Sequence, residues 1–143
     1  MTSEFDVNKL LEALENEDNE QLLNLDNKQI KLMKNKILKD LGIKKSLYDK
    51  LQEQLKNYRY VDEVPDLKYG SYIRWISLKN PNDIKLTTGG IICDIKIHDD
   101  GVHIVCCNRL RYYFQIRMYE NIIFQKLTDQ ERILLSAISY LNK

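Results

Sequence analysis

The two histidines are the only side chains in the chain whose spacing suggests a metal site. His98 and His103 lie on either side of an Asp-Asp-Gly segment that is typical of a hairpin turn. If Asp100-Gly101 is a two-residue turn, the two imidazoles lie directly opposite each other, with Cβ atoms about 5 Å apart, and both can reach one metal ion. A three-residue loop would shift the register and separate them. Even in the paired register, Asp94 and Cys107 lie about 14 Å along the strands, too far to be ligands. We therefore expect an exposed hairpin tip and no metal site.

The three cysteines do not favour thiol chemistry. Their odd number and the lack of a Cys-x-x-Cys motif argue against a disulfide framework and a structural zinc site, so reduced thiols are expected. Strand alternation sends Cys106 and Cys107 to opposite faces of a sheet, where neither thiol supports the other. Cys93 and Cys106 are predicted to fill core positions as small apolar residues.

No other group of residues resembles a catalytic centre. Gly89-Gly90 has no phosphate-binding motif around it, and the pair predicts a bulge or a sharp bend in a strand. The carboxylates cluster only in predicted turns, and the sequence has no Ser-His-Asp set or cofactor fingerprint. We therefore predict no catalytic residue, no cofactor and no small-molecule substrate, and an enzyme is the least expected class of function.

Aromatic residues and arginines along the predicted strands are better candidates for binding. Successive side chains of a strand point to opposite faces, so Tyr113 faces away from Tyr112 and Phe114 and lies off the core face. Exposed rings beside guanidinium groups can hold a peptide, a nucleobase or a second subunit. The alternative is that core and helices cover both faces of the sheet. The predicted protein-binding residues are Tyr72, Arg74, Trp75, Arg111, Tyr113 and Arg117.

Charge is segregated along the chain, although the net charge is only +1. Residues 1–20 carry −6 and residues 21–60 carry +6, whereas residues 61–100 carry −2 and residues 101–143 carry +3. The acidic and basic segments can pair with each other, which we favour, or the basic helix 28–45 can contact a polyanion. In the second case the predicted nucleic-acid-binding residues are Lys31, Lys34, Lys36, Lys44 and Lys45.

Three N-terminal helices precede the strands in the predicted order of elements. A short amphipathic helix over residues 6–14 has Ser3 or Asp6 as its cap. A second helix begins at the cap Asp26 and ends at Gly42, which supplies the left-handed residue of a helix end. A third helix begins at the cap Ser46 and forms a helical hairpin with the second.

Five runs of β-branched and aromatic residues then predict five strands. The separating turns are so short that only hairpins fit, which makes the sheet antiparallel. Residues 59–67, which contain a proline, are a connector or an irregular edge strand. A capping box, Thr128-Asp129-Gln130-Glu131, begins the last helix, which should pack over an open barrel end or against the N-terminal helices. The predicted strands are 71–78, 90–97, 102–107, 111–118 and 122–127.

These elements predict an α+β protein with N-terminal helices, a five-stranded antiparallel SH3-like small barrel and a C-terminal helix packed on it. The predicted division is a helical portion 1–58, a barrel 59–127 and a helix 128–143. No segment approaches the roughly 20 apolar residues of a membrane helix, and the N-terminus lacks the pattern of a signal peptide. We therefore expect an intracellular protein without a membrane partner.

Three segments of the predicted sheet combine an Ile-Arg-aromatic strand, a Gly-Gly strand and a closing strand with a phenylalanine: Lys68–Ile76, Leu86–Ile91 and Asn121–Lys126. Over residues 60–127 this combination resembles small uncharacterised proteins of giant (nucleocytoplasmic large) DNA viruses. The resemblance implies a component of the virion or of the infected cell, in its cytoplasm or nucleus. It also implies an assembly or nucleic-acid role without choosing between them, and it supplies no catalytic residue.

The sequence as a whole predicts a non-enzymatic binding or assembly module. Its aromatic and arginine surface would hold a protein partner or a second copy of the chain. The alternative is a nucleic-acid-binding protein in which the basic helix contacts phosphates and the aromatic residues of the barrel stack on bases.

Overall fold

The computed structural model describes residues 7–15 and 26–141. The predicted caps Ser3 and Asp6 lie outside these residues, as does much of the acidic segment 1–20. The chain divides into two compact units, one formed by Met1–Lys36 with Leu127–Lys143 and the other by Ile37–Lys126. In chain order the elements are α1 Val7–Glu15, α2 Asn27–Asp40, α3 Lys45–Gln54, β1 Tyr58–Val61, β2 Tyr72–Ser77, β3 Gly90–His98, β4 Gly101–Cys107, β5 Tyr113–Arg117, β6 Asn121–Lys126 and α4 Asp129–Leu141.

Apolar side chains of α1, α4 and the start of α2 form the core of the first unit. The buried members of this core are Ala13, Ile30, Leu127, Leu134 and Leu135. The predicted capping box is confirmed at the start of α4: the Thr128 N–H donates to Glu131 Oε1 at 2.9 Å, and the Glu131 N–H donates to Thr128 Oγ1 at 3.1 Å. The sequence predicts two packings for the last helix, over an open barrel end or against the N-terminal helices. In this unit α4 packs against the N-terminal helices.

Local signals set the ends of α2 as predicted but not the start of α3. Asp26 caps α2, since its Oδ1 accepts a hydrogen bond of 2.8 Å from the Gln29 N–H. Gly42 follows α2 with a φ of +64°, the left-handed backbone expected after a helix end. The predicted cap Ser46 is wrong, because α3 begins at Lys45 and Lys44 is the last residue with extended backbone.

The second unit is built on a six-stranded antiparallel sheet in the order β1-β6-β2-β3-β4-β5. The predicted α+β class and antiparallel pairing are confirmed, although β5 and β6 do not form a hairpin, because β6 pairs with β1 and β2. The closed five-stranded barrel is wrong in two respects. Tyr58–Val61 pairs with β6 and adds a sixth strand at one edge. The sheet is also open, because β1 and β5 each pair with only one strand of the described chain.

Both faces of the sheet carry apolar clusters, but helices cover only one half of the second face. On the face that we call the inner face, side chains of β1, β2, β3, β4 and β6 pack together, and Trp75 is one of them. On the opposite face, Leu38 at the end of α2 and Leu51 of α3 pack near β2 and β6, where Ile76 and Phe124 are buried. We call the remaining half of this opposite face, on β3, β4 and β5, the open face.

Gly89 and Gly90 allow the start of β3 to approach its neighbours closely. Gly89 has a φ of +86°, and a Cβ atom there would lie 2.1 Å from the carbonyl oxygen of Ile73 in β2. At Gly90 a Cβ atom would lie 2.9 Å from the carbonyl oxygen of Cys107 in β4. The irregular register of β3 lies further on, between Ile92 and Asp94. The two glycines therefore permit close packing of backbone, and the bulge is a separate feature.

Candidate binding surface on the open face

A row of side chains begins at Tyr72 on β2 and crosses the open face to β5. The strand register places Tyr72 opposite Ile91, Ile91 opposite Cys107, and Cys107 opposite Tyr113. Ile91 is 45% exposed and Tyr113 is 70% exposed, which is unusual for large apolar and aromatic side chains on a sheet. Neighbouring strands lie about 4.8 Å apart, so Tyr72 and Tyr113 are separated by about 14 Å. This row brings together two of the predicted binding residues from strands far apart in sequence.

A basic cleft lies at the Tyr72 end of this row. It has a volume of about 530 Å³, and its lining includes Tyr58, Tyr72, Arg74, Arg109 and Lys126. Three of the described residues that line the cleft are cations, and none is a carboxylate. We use the name basic cleft for this site below. Its charge and its rings make it suited to an anionic ligand with a flat group.

Hydrogen bonds and electrostatics fix the side chains of the basic cleft. Arg74 Nε donates to the carbonyl oxygen of Thr87 at 2.8 Å, and the Tyr72 hydroxyl donates to the carbonyl oxygen of Thr88. Burial raises the pKa of the Tyr58 hydroxyl; the Arg74 cation opposes this rise and Tyr72 adds to it. Tyr58, Tyr72 and Arg74 therefore lie close enough to act on one ligand.

The outer edge of β5 is the second feature of this surface. Tyr113 and Phe114 are both exposed although they point to opposite faces. In the described part of the chain, β5 pairs only with β4, and so the backbone groups on its other side have no strand to bond to. Such an edge can add a strand from another chain.

The histidine pair meets on the open face, but in a different register from the predicted one. The turn is Asp99-Asp100, so that His98 pairs with Gly101 and His103 lies diagonally across from it. The two rings still make an edge-to-face contact with centroids 4.6 Å apart. A turn that begins one residue earlier moves the partner of His98 by two residues, from His103 to Gly101, and a two-residue shift keeps both side chains on the same face.

Both nitrogens of the buried His103 ring have hydrogen-bond partners. The Gln115 amide nitrogen lies 2.8 Å from His103 Nδ1, and Asp100 Oδ1 lies 3.1 Å from His103 Nε2. Because an amide nitrogen only donates, Nδ1 accepts and Nε2 carries the proton that it donates to Asp100. The hydrogen bond from His103 lowers the pKa of the Asp100 carboxyl. Within residues 7–15 and 26–141, no three His, Cys, Asp or Glu side chains are arranged to hold a metal ion.

The structure separates the predicted protein-binding residues into three places. Trp75 is only 8% exposed and lies in the core of the inner face, so it is not part of an exposed surface. Tyr72 and Arg74 line the basic cleft, and Tyr113 lies at the far end of the row. The other two, Arg111 and Arg117, are exposed near the ends of β5. The binding role of the five accessible residues stays a prediction.

Arg117 is held at the end of β5 by neighbouring polar groups. Its guanidinium lies 3.4 Å from Asp100 Oδ2 and 3.5 Å from Glu120 Oε1, and it donates to the Tyr119 hydroxyl at 3.2 Å. The Tyr119 hydroxyl, followed by the two carboxylates, raises the pKa of Arg117. These contacts restrict the guanidinium without removing it from solvent.

The predicted nucleic-acid-binding lysines do not share one environment. Lys31, Lys36, Lys44 and Lys45 are exposed, but Lys34 is only 7% exposed, and burial followed by the nearby Lys31 lowers its pKa. Lys34 therefore does not belong to an exposed basic face. The role of the other four stays a prediction.

The cysteines correct one further prediction. Cys106 is buried as expected, and burial followed by Cys93 raises its pKa to about 12. Cys93 is exposed, so its predicted core position is wrong. The reason is that the neighbouring Ile92 occupies the core face of β3, so that alternation places Cys93 on the opposite face.

Sequence reasoning did not consider Lys126 of the basic cleft, and it counted Tyr58 and Arg109 among the aromatic residues and arginines near the strands without selecting them as binding residues. Each belongs to a segment without a motif, and only the pairing of β1 with β6 and the position of the loop after β4 bring them together. Tyr58 lies directly opposite Lys126 where β1 pairs with β6. The sequence shows the alternation of side chains within each segment, but it does not show that these two segments pair with each other.

Comparison with known proteins finds no family model, no curated protein and no solved structure that matches this chain. Among the residues that the structure describes, no helix has the length and apolar character needed to cross a membrane. The function must therefore be inferred from the surfaces themselves.

Proposed function

We propose that the protein is a non-enzymatic assembly module that associates with a second copy of itself by pairing the exposed edges of two β5 strands. The observation that carries this proposal is the outer edge of β5, which pairs with no strand among residues 7–15 and 26–141, together with its two exposed aromatic residues, Tyr113 and Phe114. Main-chain hydrogen bonds to an added strand would supply affinity, and the flanking side chains would supply register.

The sequence of β5 is complementary to itself in an antiparallel arrangement. If Gln115 of one copy faces Gln115 of the other, Tyr113 lies opposite Arg117 and Phe114 lies opposite Ile116. The first pair places a guanidinium beside an aromatic ring, and the second is apolar on both sides. No like charges face each other, because the only charged residue of the strand is at its end. Each such cross-strand pair is worth about 0.2–1 kcal/mol.

The finer architecture and the origin of the protein belong to the same proposal. The strand order β6-β2-β3-β4-β5 and the 3-10 turn Met118–Glu120 between β5 and β6 support an SH3-like arrangement with β1 added. The relation to giant-virus proteins and the location in a host cell or a virion rest on the sequence resemblance.

Charge variants at the centre of the proposed pairing test it directly. Gln115→Lys and Gln115→Glu each place like charges opposite each other across the two-fold axis, so each variant alone should sediment as a monomer of about 17.0 kDa. An equimolar mixture should recover the dimer, because lysine then faces glutamate. Each chain carries the same residue 115 beside His103 alone and in the mixture, so recovery in the mixture cannot come from that contact within one chain.

Sedimentation velocity at low and high concentration measures these states. The wild-type chain should form a dimer at high concentration. A wild-type chain that stays monomeric, or variants that associate as well as the wild type, would overturn the proposal. A mixture that stays monomeric would place the contact elsewhere than at β5.

A further inference from the structure

We infer that the basic cleft binds single-stranded nucleic acid, with its cations on phosphates and its tyrosine rings on bases. This inference concerns a ligand other than the second copy proposed above. It rests on residues of β1, β2, β6 and the loop after β4, and not on the helical lysines.

Charge complementarity is the first argument for this ligand. Arg74, Arg109 and Lys126 meet in one cleft without a carboxylate among the described lining residues. The unit Ile37–Lys126 contains 15 basic and 11 acidic residues, a net charge of +4, whereas the whole chain carries +1. A local excess of positive charge in a concave site attracts a polyanion more strongly than the net charge of the chain suggests.

The tyrosine rings of the basic cleft are the second argument, because a site that binds only phosphate does not require aromatic side chains. Tyr58 and Tyr72 are half-buried in the cleft, which leaves part of each ring accessible. The hydrogen bond from the Tyr72 hydroxyl to the Thr88 carbonyl holds that ring in place. A fixed aromatic ring beside cations is the arrangement by which proteins stack the bases of single strands while they hold the backbone.

The open face gives a single strand a path out of the cleft. The row from Tyr72 continues over the exposed Ile91 to Tyr113, about 14 Å away, where a second ring can accept a base. Exposed Leu110 and Arg109 border the same path. A duplex would not use these rings, because its bases are already stacked and paired, and an acidic peptide would not need them.

Fluorescence anisotropy with a labelled oligothymidylate tests the inference on the full chain. The variant Arg109→Gln/Lys126→Gln removes two cations from the cleft, and both side chains are exposed, so the fold should be retained. The matched control is Lys50→Gln/Lys96→Gln, which removes the same charge from exposed positions outside the cleft. Circular dichroism of each variant verifies the fold.

We expect the cleft variant to weaken binding at least tenfold and the control to change it less than twofold. For single strands the logarithm of affinity falls by about 0.7 per phosphate contact for each decade of salt, so the cleft variant should lower this slope by about 1.4. Tyr72→Leu should weaken binding about tenfold without changing the slope, because it removes stacking and no charge.

Several results would overturn the inference. The wild-type chain could fail to bind at low salt, or both double variants could weaken binding equally, which would indicate a diffuse field. Equal binding of a duplex, or competition by polyglutamate as strong as by unlabelled oligonucleotide, would indicate a general polyanion site. Loss of binding on charge reversal of Lys31 and Lys36, with the cleft variant unaffected, would place the nucleic acid on the helices.

Discussion

Replacing Gly89 by alanine should destabilise the sheet unit strongly, because two separate costs meet at this residue. The φ of +86° is left-handed, which costs a residue with a Cβ atom about 1–2 kcal/mol. In addition, the new Cβ atom would lie 2.1 Å from the carbonyl oxygen of Ile73, so the backbone of β2 or β3 must shift. Such overpacking costs about 1–3 kcal/mol more. We therefore expect Gly89→Ala to lower the free energy of unfolding by about 2–5 kcal/mol.

Gly70→Ala is a matched control for this substitution. Gly70 has a nearly equal φ of +82°, but a Cβ atom there would have nothing within 4 Å. It therefore carries the backbone cost of about 1–2 kcal/mol alone. One kcal/mol shifts the melting temperature of a chain of this size by roughly 2–4 °C, so Gly89→Ala should melt roughly 2–12 °C below Gly70→Ala.

Thermal and urea unfolding, followed by circular dichroism, measure both variants. Equal losses in the two variants would refute the reasoning, because the close approach to Ile73 would then carry no cost. Ligand binding gives a second readout, because Gly89 lines the basic cleft. A shifted start of β3 in Gly89→Ala should weaken the binding of any ligand to the basic cleft, whereas Gly70→Ala should leave that binding unchanged.

Three further predictions concern single side chains. Iodoacetamide should alkylate the exposed Cys93 well before Cys106, because Cys106 is buried and that burial raises its pKa to about 12, which suppresses the reactive thiolate; peptide mass spectrometry that finds both modified together would contradict this. Thr128→Ala should lower the free energy of unfolding by about 1 kcal/mol through loss of the helix cap, and an unchanged urea midpoint would argue against the capping box. His103→Ala should return the pKa of the Asp100 carboxyl towards 3.8 in an NMR titration, because the hydrogen bond from His103 holds it lower and alanine has no donor; that contribution to stability is present above pH 3.8 and is lost as the pH falls through the lowered pKa, and an unshifted titration would disprove the contact.

Signals within a few residues of each other predicted most of the elements. The Thr128–Glu131 capping box, the Asp26 cap and the Gly42 helix end each depend on one turn of chain, and all three are confirmed. The five predicted strands are confirmed for the same reason, since alternation and turn residues are local, but the hairpin expected between the last two is wrong. The prediction of the start of α3 failed because Ser46 is only one of several residues that could precede the helix.

Features that depend on pairing could not be read from the sequence. Of the two alternatives for residues 59–67, the edge strand is confirmed at its start, in Tyr58–Val61, but the sequence could not choose it over a connector, because the choice depends on β6 as a partner. Cys93 is exposed because Ile92, and not Cys93, faces the core, and residue type alone does not decide between these two apolar neighbours. The register irregularity after Ile92 then places Asp94 on the exposed face as well, and no residue type announces it. Trp75 alternates like its neighbours, so its burial depends on which face of β2 the core occupies. The basic cleft was missed for this reason, because its residues lie on three strands and a loop.

The two edges of the open sheet differ in a way that determines what kind of assembly they allow. β1 is short, is followed by Asp62, Glu63 and a proline-containing turn, and directs the charged side chain of Arg59 inward, where it is 5% exposed. Short length, flanking charges, proline and an inward charge are the devices that keep edge strands from pairing. β5 is only one residue longer than β1, but it has no proline and no inward charge, and its one charged residue, Arg117 at its end, is held by Asp100 and Glu120.

Pairing of β5 with β1 would join head to tail and extend without limit, whereas pairing of β5 with β5 is two-fold and closes at a dimer. Because only β5 is unprotected, assembly should stop at two copies. Sedimentation of the wild-type chain should therefore show no species larger than a dimer as concentration rises. Growth into longer assemblies would mean that β1 also pairs, and that its charges and proline do not protect it.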